Sequence, residues 1–400
     1  MHKANFQSLL AMLLLPWALA SCGQGSSTPA SASAPIFQNG QAASVVIGQP
    51  NFTTKTLGGG AGGMNFPIGR PAVVLDRYLY IADMSNNRVL GYSPIPTANG
   101  TSASFVLGQT NFINTFAGST AITLYNPASV GYDPLNWQVY VADSSSNRVL
   151  EWSGIPVVND APASFALGQT ALSGNTAGCV SGATTATSMM VPIDVFVTGN
   201  QVLVADNNSN RILIWNTIPF GSGVPANLVL GQSSMLTCYS NRNGIVTPGT
   251  LSGPQSVWSD GTRIIVADSF NHRVLIWNSF PTANGAPADV VLGQPDMFSS
   301  TATLTGGASG LNFPFGVDSD GTRLAVADVA NQRVLIWNSI PTVNNAPADI
   351  VLGQPDFTSV AAPTSATAAN LWGPRGVLWY GDQLFVVDTL NNRVLIFQGQ

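Results

Sequence analysis

Apolar runs recur along the chain at a nearly fixed interval. A Val-Leu-Gly-Gln string, or a close variant, begins at Val46, Val106, Ala166, Val229, Val291 and Val351. An Arg-Val-Leu-Ile-Trp-like string begins at Arg88, Arg148, Arg211, Arg273, Arg333 and Arg393, at spacings of 60, 63, 62, 60 and 60 residues. Between them an apolar run closes on Asp83, Asp143, Asp206, Asp268, Asp328 and Asp388, each five residues before its Arg. Self-similarity at a fixed period marks a repeat architecture.

One unit, residues 253–294, reads as four strands. Gln255 to Ser259 is the first, and Asp260-Gly261 predicts a type I′ turn. Arg263 to Ala267 is rich in β-branched residues and reads as the second strand. Ser269 to His272 is a polar turn, Arg273 to Trp277 the third strand and Asp289 to Leu292 the fourth. Val274-Leu275-Ile276-Trp277 is apolar throughout, so both of its faces are predicted to be covered. Small sheets packed radially provide that cover. The last unit reads only three strands, whereas Ser44 to Ile47 reads as a fourth strand without a unit. Pairing the two closes a ring. The expectation is an all-β fold: a six-bladed β-propeller of four-stranded blades, closed by the N-terminal strand.

Composition narrows the function. Charged residues are only 8% of the 400, and the formal net charge is −5. Glu occurs once, at Glu151, and His twice, at His2 and His272. A coiled coil needs Glu and Lys in quantity, and a nucleic-acid binder needs a basic surface. A hydrophobic content of 45% argues against disorder. At the N-terminus Leu9 to Leu19 is apolar and too short to span a bilayer. It ends in Leu19-Ala20-Ser21-Cys22 and resembles the lipobox of bacterial lipoproteins. That resemblance implies a signal peptide over 1–21, cleavage before Cys22, lipidation of Cys22 and an address on the cell envelope, at the outer membrane or cell surface. Residues 22–43 then form the lipidated Cys and a flexible Ser/Ala/Pro/Gly tether, and 44–400 the propeller. Cys179 and Cys238 are an even remainder on two consecutive loops, so a disulfide between them is expected.

The repeated strings resemble the NHL-repeat family. Pro314-Phe315-Gly316-Val317, Val326-Ala327-Asp328 and Asn331-Gln332-Arg333-Val334 follow its pattern, and Asn271-His272-Arg273-Val274 is the nearest copy of its naming motif. The resemblance covers 44–398. The first unit departs from it, because Pro67 and Pro71 both compete for the opening proline. The resemblance implies a protein-interaction or sensor domain.

The Asp and Arg of each unit are present in all six, so they read as structural, with the Asp capping the second-to-third-strand turn and meeting its Arg. A binding site should break the symmetry. The long loops 50–66, 110–126, 170–191, 233–253, 295–313 and 355–373 are the expected recognition surface. At the channel mouth the residue after each blade proline should point inward: Ile68 or Ala72, Ala128, Ile193, Gln255, Phe315 and Arg375, with Asp194 and Trp372 nearby.

The function expected is a membrane-tethered scaffold binding a protein, peptide or glycan through the long-loop face. It is expected as a monomer without a nucleic-acid partner, and attached to the membrane by its lipid alone. Alternatives are an extracytoplasmic propeller enzyme of lyase or hydrolase type with its site at the mouth, or a purely structural envelope component. Zinc-dependent lyase chemistry needs several His ligands, and quinone-dependent sugar oxidation needs a His base. His272 is the one His outside the signal segment. No catalytic residue, metal or cofactor is therefore assigned. Structural Ca²⁺ remains open, although no dense ligand spacing supports it.

Overall fold

The structure, a computed structural model, describes residues 37–399. Cys22, its signal segment and most of the tether lie outside the described residues. The described chain forms six antiparallel four-stranded sheets, each with its strands in sequence order except the last. There Pro374–Tyr380, Gln383–Asp388 and Arg393–Gln398 are completed by Val45–Ile47, with Val46 opposite Leu395. First strands of successive blades touch around the ring. The fold is a six-bladed β-propeller closed by its N-terminal strand.

The unbroken apolar strands have a direct explanation. In Arg273–Trp277, Val274 and Ile276 pack into the core shared with the following blade. Leu275 and Trp277 pack into the core shared with the preceding one. Side chains alternate across a strand, so a sheet between two neighbours needs apolar residues at both parities. Charge scarcity follows from this geometry.

Local turns differ from expectation in one respect. At 260–263 only Gly261 has a positive φ, so no type I′ turn forms. Asp260 Oδ1 instead accepts the amides of Thr262 (2.9 Å) and Arg263 (2.6 Å). An Asx turn satisfies the backbone without requiring a second left-handed residue. The Ser269–Asn271 turn is a single 3₁₀ turn closed by left-handed His272, and Asn or Gln holds that place in the other blades.

Each blade's outer edge is covered. The amide of Val291 in Val290–Leu292 donates to Asn344 Oδ1 (3.0 Å), and its carbonyl accepts from the Asn345 amide (2.8 Å). Both partners belong to the loop after the next blade's third strand. The same clasp closes the ring, where Val351 meets Asn39 Oδ1 (2.9 Å) and the Gly40 amide (2.9 Å). Exposed edges template aggregation, and this loop removes them. Residues 37–43, assigned by sequence to the tether, thus belong to the propeller, and Phe37 is buried edge-on against Trp379 (5.4 Å between centroids).

Blade 1 is irregular. Pro67 pairs with Asp83, as Pro127 pairs with Asp143 in blade 2, so Pro67 is the opening proline. Pairing resumes only at Ala72 with Tyr80. Ile68 to Pro71 therefore spans four residues opposite two, a wider bulge than the single extra residue of blade 2.

Candidate functional site

The Asp and Arg of each repeat organise the long loops. Arg273 Nε donates to Asp268 Oδ2 (2.8 Å), Nη1 to the Met297 carbonyl (2.7 Å) and Nη2 to the Thr247 and Thr250 carbonyls (both 2.9 Å). The fork thereby holds the loop that opens its own blade and the loop that leaves it. The same reach of 24 residues joins Arg88 to Phe112, Arg148 to Leu172, Arg211 to Met235 and Arg333 to Phe357. Across the chain junction Arg393 reaches Phe52. Asp83, Asp143, Asp206, Asp328 and Asp388 pair with their Arg as Asp268 does, every partner fully buried. The carboxylates do not cap the 3₁₀ turn with their side chains. Their second oxygen instead takes an amide two residues before the blade proline, as Asp268 Oδ1 takes that of Ser252 (2.7 Å). Oδ2 still holds the turn in four blades, accepting Asn86, Asn271, Asn331 and Asn391 Nδ2 (2.8 Å each). The carboxylate thus ties the turn, through a side chain, to the segment that leads into the first strand.

A second set of staples was not legible in the sequence. Gln294, from the Val-Leu-Gly-Gln string, donates to the His272 carbonyl (2.8 Å) and the Thr301 carbonyl (2.9 Å). His272 Nδ1 accepts the Phe313 amide (3.1 Å), which opens the next blade. Asn87, Asn392 and Gln332 do the same with an amide oxygen. His272 is therefore an acceptor between blades, with a bare Nδ1. Burial lowers its pKa, against a weaker upward pull from Asp268.

Since Arg at the head of each third strand fastens the long loops, these loops and the second-to-third-strand turns share one face. Cys179 and Cys238 are bonded there, with Cα atoms 6.2 Å apart. The amide of Cys238 donates to the Gly182 carbonyl (3.3 Å), and Tyr239 Oη to that of Ser181 (3.2 Å), so loops 170–191 and 233–253 are stitched together. The loop tips differ and expose apolar side chains, among them Leu57, Ile113, Phe116, Ile245 and Phe298.

Residues from non-adjacent blades can meet only at the axis, and two layers do so. At the mouth Ile68, Ala128, Ile193, Phe315 and Val329 form one buried cluster, joined by Phe66, Met84, Val191 and Phe313. Gln255 is buried here at 7% exposure, and its Oε1 has no hydrogen-bond partner. The Arg375 guanidinium lies over the rings of Phe66 (5.0 Å) and Phe315 (5.3 Å). Trp372 is half-buried on the loop before blade 6, with Lys55 Nζ 4.7 Å from its ring centroid. Ala72 lies in its strand opposite Tyr80, leaving Ile68 as the inward residue of blade 1.

Asp194 sits in the second layer, inside the channel. Arg70, on the widened bulge of blade 1, reaches Asp194 Oδ1 (2.9 Å) in blade 3 and Asp318 Oδ1 (3.5 Å) in blade 5. Asp194 Oδ2 also accepts from Ser256 Oγ (2.7 Å) and the Val257 amide (3.0 Å), so its carboxylate is fully engaged. Burial pushes Asp318 up to about 7, against the opposing pulls of Arg70 and the Trp379 amide. Arg70 was missed by sequence reasoning. The available signal was Gly69-Arg70-Pro71, a charge between two prolines where the other blades have one proline. Among the described residues no group of three or more His, Cys, Asp and Glu could hold a metal ion.

No family model matches the chain, and no curated protein matches it. Among solved structures it is similar to a chain of a nidogen/laminin complex, at 16% identity over 71% of this chain and 83% of that one, with a TM-score of 0.41. It is also similar to the PQQ-bound aldose sugar dehydrogenase of Streptomyces coelicolor, at 14% identity over 86% of this chain and 97% of that one, with a TM-score of 0.45. These likenesses concern the fold alone.

Proposed function

We propose that this chain is an exported, lipid-anchored propeller of NHL type, and that its long-loop face binds a protein, peptide or glycan. One observation carries the reading. The bases of the six loops are held by the same buried Asp, Arg and Gln staples, whereas their tips differ and expose Ile113, Phe116, Ile245 and Phe298 at 66–83%. Rigid supports under variable apolar tips are the arrangement of a recognition surface. The Leu19-Ala20-Ser21-Cys22 string supports the anchor.

The full chain, immobilised and exposed to cell-envelope extract, is compared with an Ile113→Ser/Phe116→Ser/Phe298→Ser variant. Partners lost from the variant support the reading, and identical recovery from both removes it. Labelling with radioactive palmitate, abolished by Cys22→Ala, tests the anchor.

A further inference from the structure

We propose that the channel mouth is a binding site for a carboxylate held by Arg375, on a body whose hydroxyl or N–H meets Gln255 Oε1. Six arginines are engaged by the repeat aspartates, Arg70 by Asp194 and Asp318, Arg263 by Asp260 and Arg323 by Asp320. Arg242 donates to the carbonyls of Gly231, Gly249 and Gly285. Arg77 is exposed to water beside the Tyr78 ring (5.3 Å). Arg375 is half-buried and different. Among the described residues it has neither a carboxylate nor a hydrogen-bond acceptor, only the faces of Phe66 and Phe315. Its Nε is buried without a partner, and burial lowers its pKa.

A second orphan lies at the same mouth. Gln255 is more than nine-tenths buried, and its Oε1, an acceptor, takes no hydrogen bond. Buried polar groups are normally paired, and leaving one unpaired costs stability. Gln255 and Arg375 hold the same place, directly after the opening proline, in blades 4 and 6, and Phe315 holds it in blade 5 between them. One orphaned acceptor and one orphaned donor, Gln255 Oε1 and Arg375 Nε, therefore come from the blades on either side of Phe315 in an otherwise apolar mouth. Lys55, on the loop leading into blade 1, adds a further positive charge over Trp372 of the loop leading into blade 6.

The chemistry selects the ligand. A guanidinium is a planar fork that matches a carboxylate with two parallel hydrogen bonds, and the orphaned Gln255 Oε1 accepts an O–H or N–H of the body that carries it. The Phe66, Phe313 and Phe315 surroundings favour a carboxylate carried on an apolar or ring-shaped body. A peptide C-terminus and a uronic acid both present that group.

The experiment uses the full chain and isothermal titration calorimetry. Benzoate should bind and its neutral analogue benzamide should not. Arg375→Met should weaken benzoate at least ten-fold, Arg375→Lys nearly as much because the fork is lost, and Gln255→Leu should leave benzoate, which has no donor for Oε1, unchanged. The Tm of Arg375→Met should equal or exceed that of the parent, since an unpaired cation is removed and its apolar stem kept. To separate the sources, a peptide with a free C-terminus, its amidated form and galacturonate are titrated in parallel. Preference for the free-acid peptide or for galacturonate identifies which of them the site takes.

The assignment is overturned if no carboxylate binds, if benzamide or inorganic phosphate matches benzoate, if Arg375→Met binds unchanged, or if that variant loses Tm. The inference goes beyond the loop-tip reading and does not depend on it. The Ile113/Phe116/Phe298 variant should keep benzoate binding, so the two can fail separately.

Discussion

Replacing Asp318 with Asn should make the propeller more stable at alkaline pH and leave it nearly unchanged in acid. Asp318 is buried, and its surroundings are Arg70 Nη1 at 3.5 Å, the Trp379 amide at 2.7 Å and the carboxylate of Asp194. Arg70 spends its better geometry on Asp194, so desolvation dominates at Asp318 and its pKa rises to about 7. In the unfolded chain an Asp titrates near 3.9. The folded state therefore holds this proton more tightly, and the stability it contributes is complete below pH ~4 and lost as pH rises through ~7. The full loss is roughly 4 kcal/mol, of which about two-thirds falls between pH 5 and pH 8. Asn keeps an acceptor for the Trp379 amide and cannot ionise. Urea unfolding of parent and Asp318→Asn, followed by Trp fluorescence at pH 5, 6, 7 and 8, measures the difference. Other groups titrating in this window, including His272 and Glu151, are common to both proteins and cancel. Parallel curves, with a gap that changes by less than about 0.5 kcal/mol across the range, would refute the assignment of a desolvated Asp318.

Arg273→Leu removes four hydrogen bonds at once and strands Asp268, so a loss of about 3–5 kcal/mol is expected in urea unfolding. His272→Asn should be neutral, because Asn already holds that place in blades 1, 2, 3 and 6, whereas His272→Ala should cost about 1 kcal/mol through the stranded Phe313 amide. A chain starting at Ser44 should unfold at lower urea than one starting at Pro35, because it lacks the Asn39 and Gly40 clasp and the Phe37 contact with Trp379. Reduction of Cys179–Cys238, which closes a separation of 59 residues, should lower stability by roughly 2–4 kcal/mol, read from urea curves with and without reductant.

What the sequence made legible is what it states six times. Blade number, strand order and the ring-closing strand follow from spacing alone, because a period of about 60 residues fixes how many sheets there are and an unpaired strand at one end fits the vacancy at the other. Repetition also separated the Asp and Arg from function, although it could not give their direction. The spacing of five shows that the carboxylate serves its turn, as Asp268 Oδ2 does with Asn271, but not that Oδ1 also reaches Ser252 at the head of the blade. The Val-Leu-Gly-Gln string announced itself as a strand. That its Gln is a loop staple depends on a carbonyl 22 residues upstream, a contact no local pattern encodes.

The axis was the least legible region for a related physical reason. Contacts there join blades 1, 3 and 5, which are separated by more than a hundred residues and share no periodic signal. Arg70 reaches Asp194 and Asp318 because blade 1 inserts two residues opposite its second strand, the irregularity that made Pro67 and Pro71 hard to tell apart. A break in the repeat thus marked the place where one blade does something the others do not. The same logic applies to Gln255 and Arg375. Four of the six blades put Ile, Ala or Phe after the opening proline, residues that fill the mouth and need no partner. The two that put an amide and a guanidinium there each leave one buried atom without a partner, Gln255 Oε1 and Arg375 Nε. Other buried orphans, such as Ser209 Oγ and Thr389 Oγ1, each sit within one blade's turn. The acceptor and the donor at the mouth come from two blades at the point where all six converge, where a single ligand can reach both.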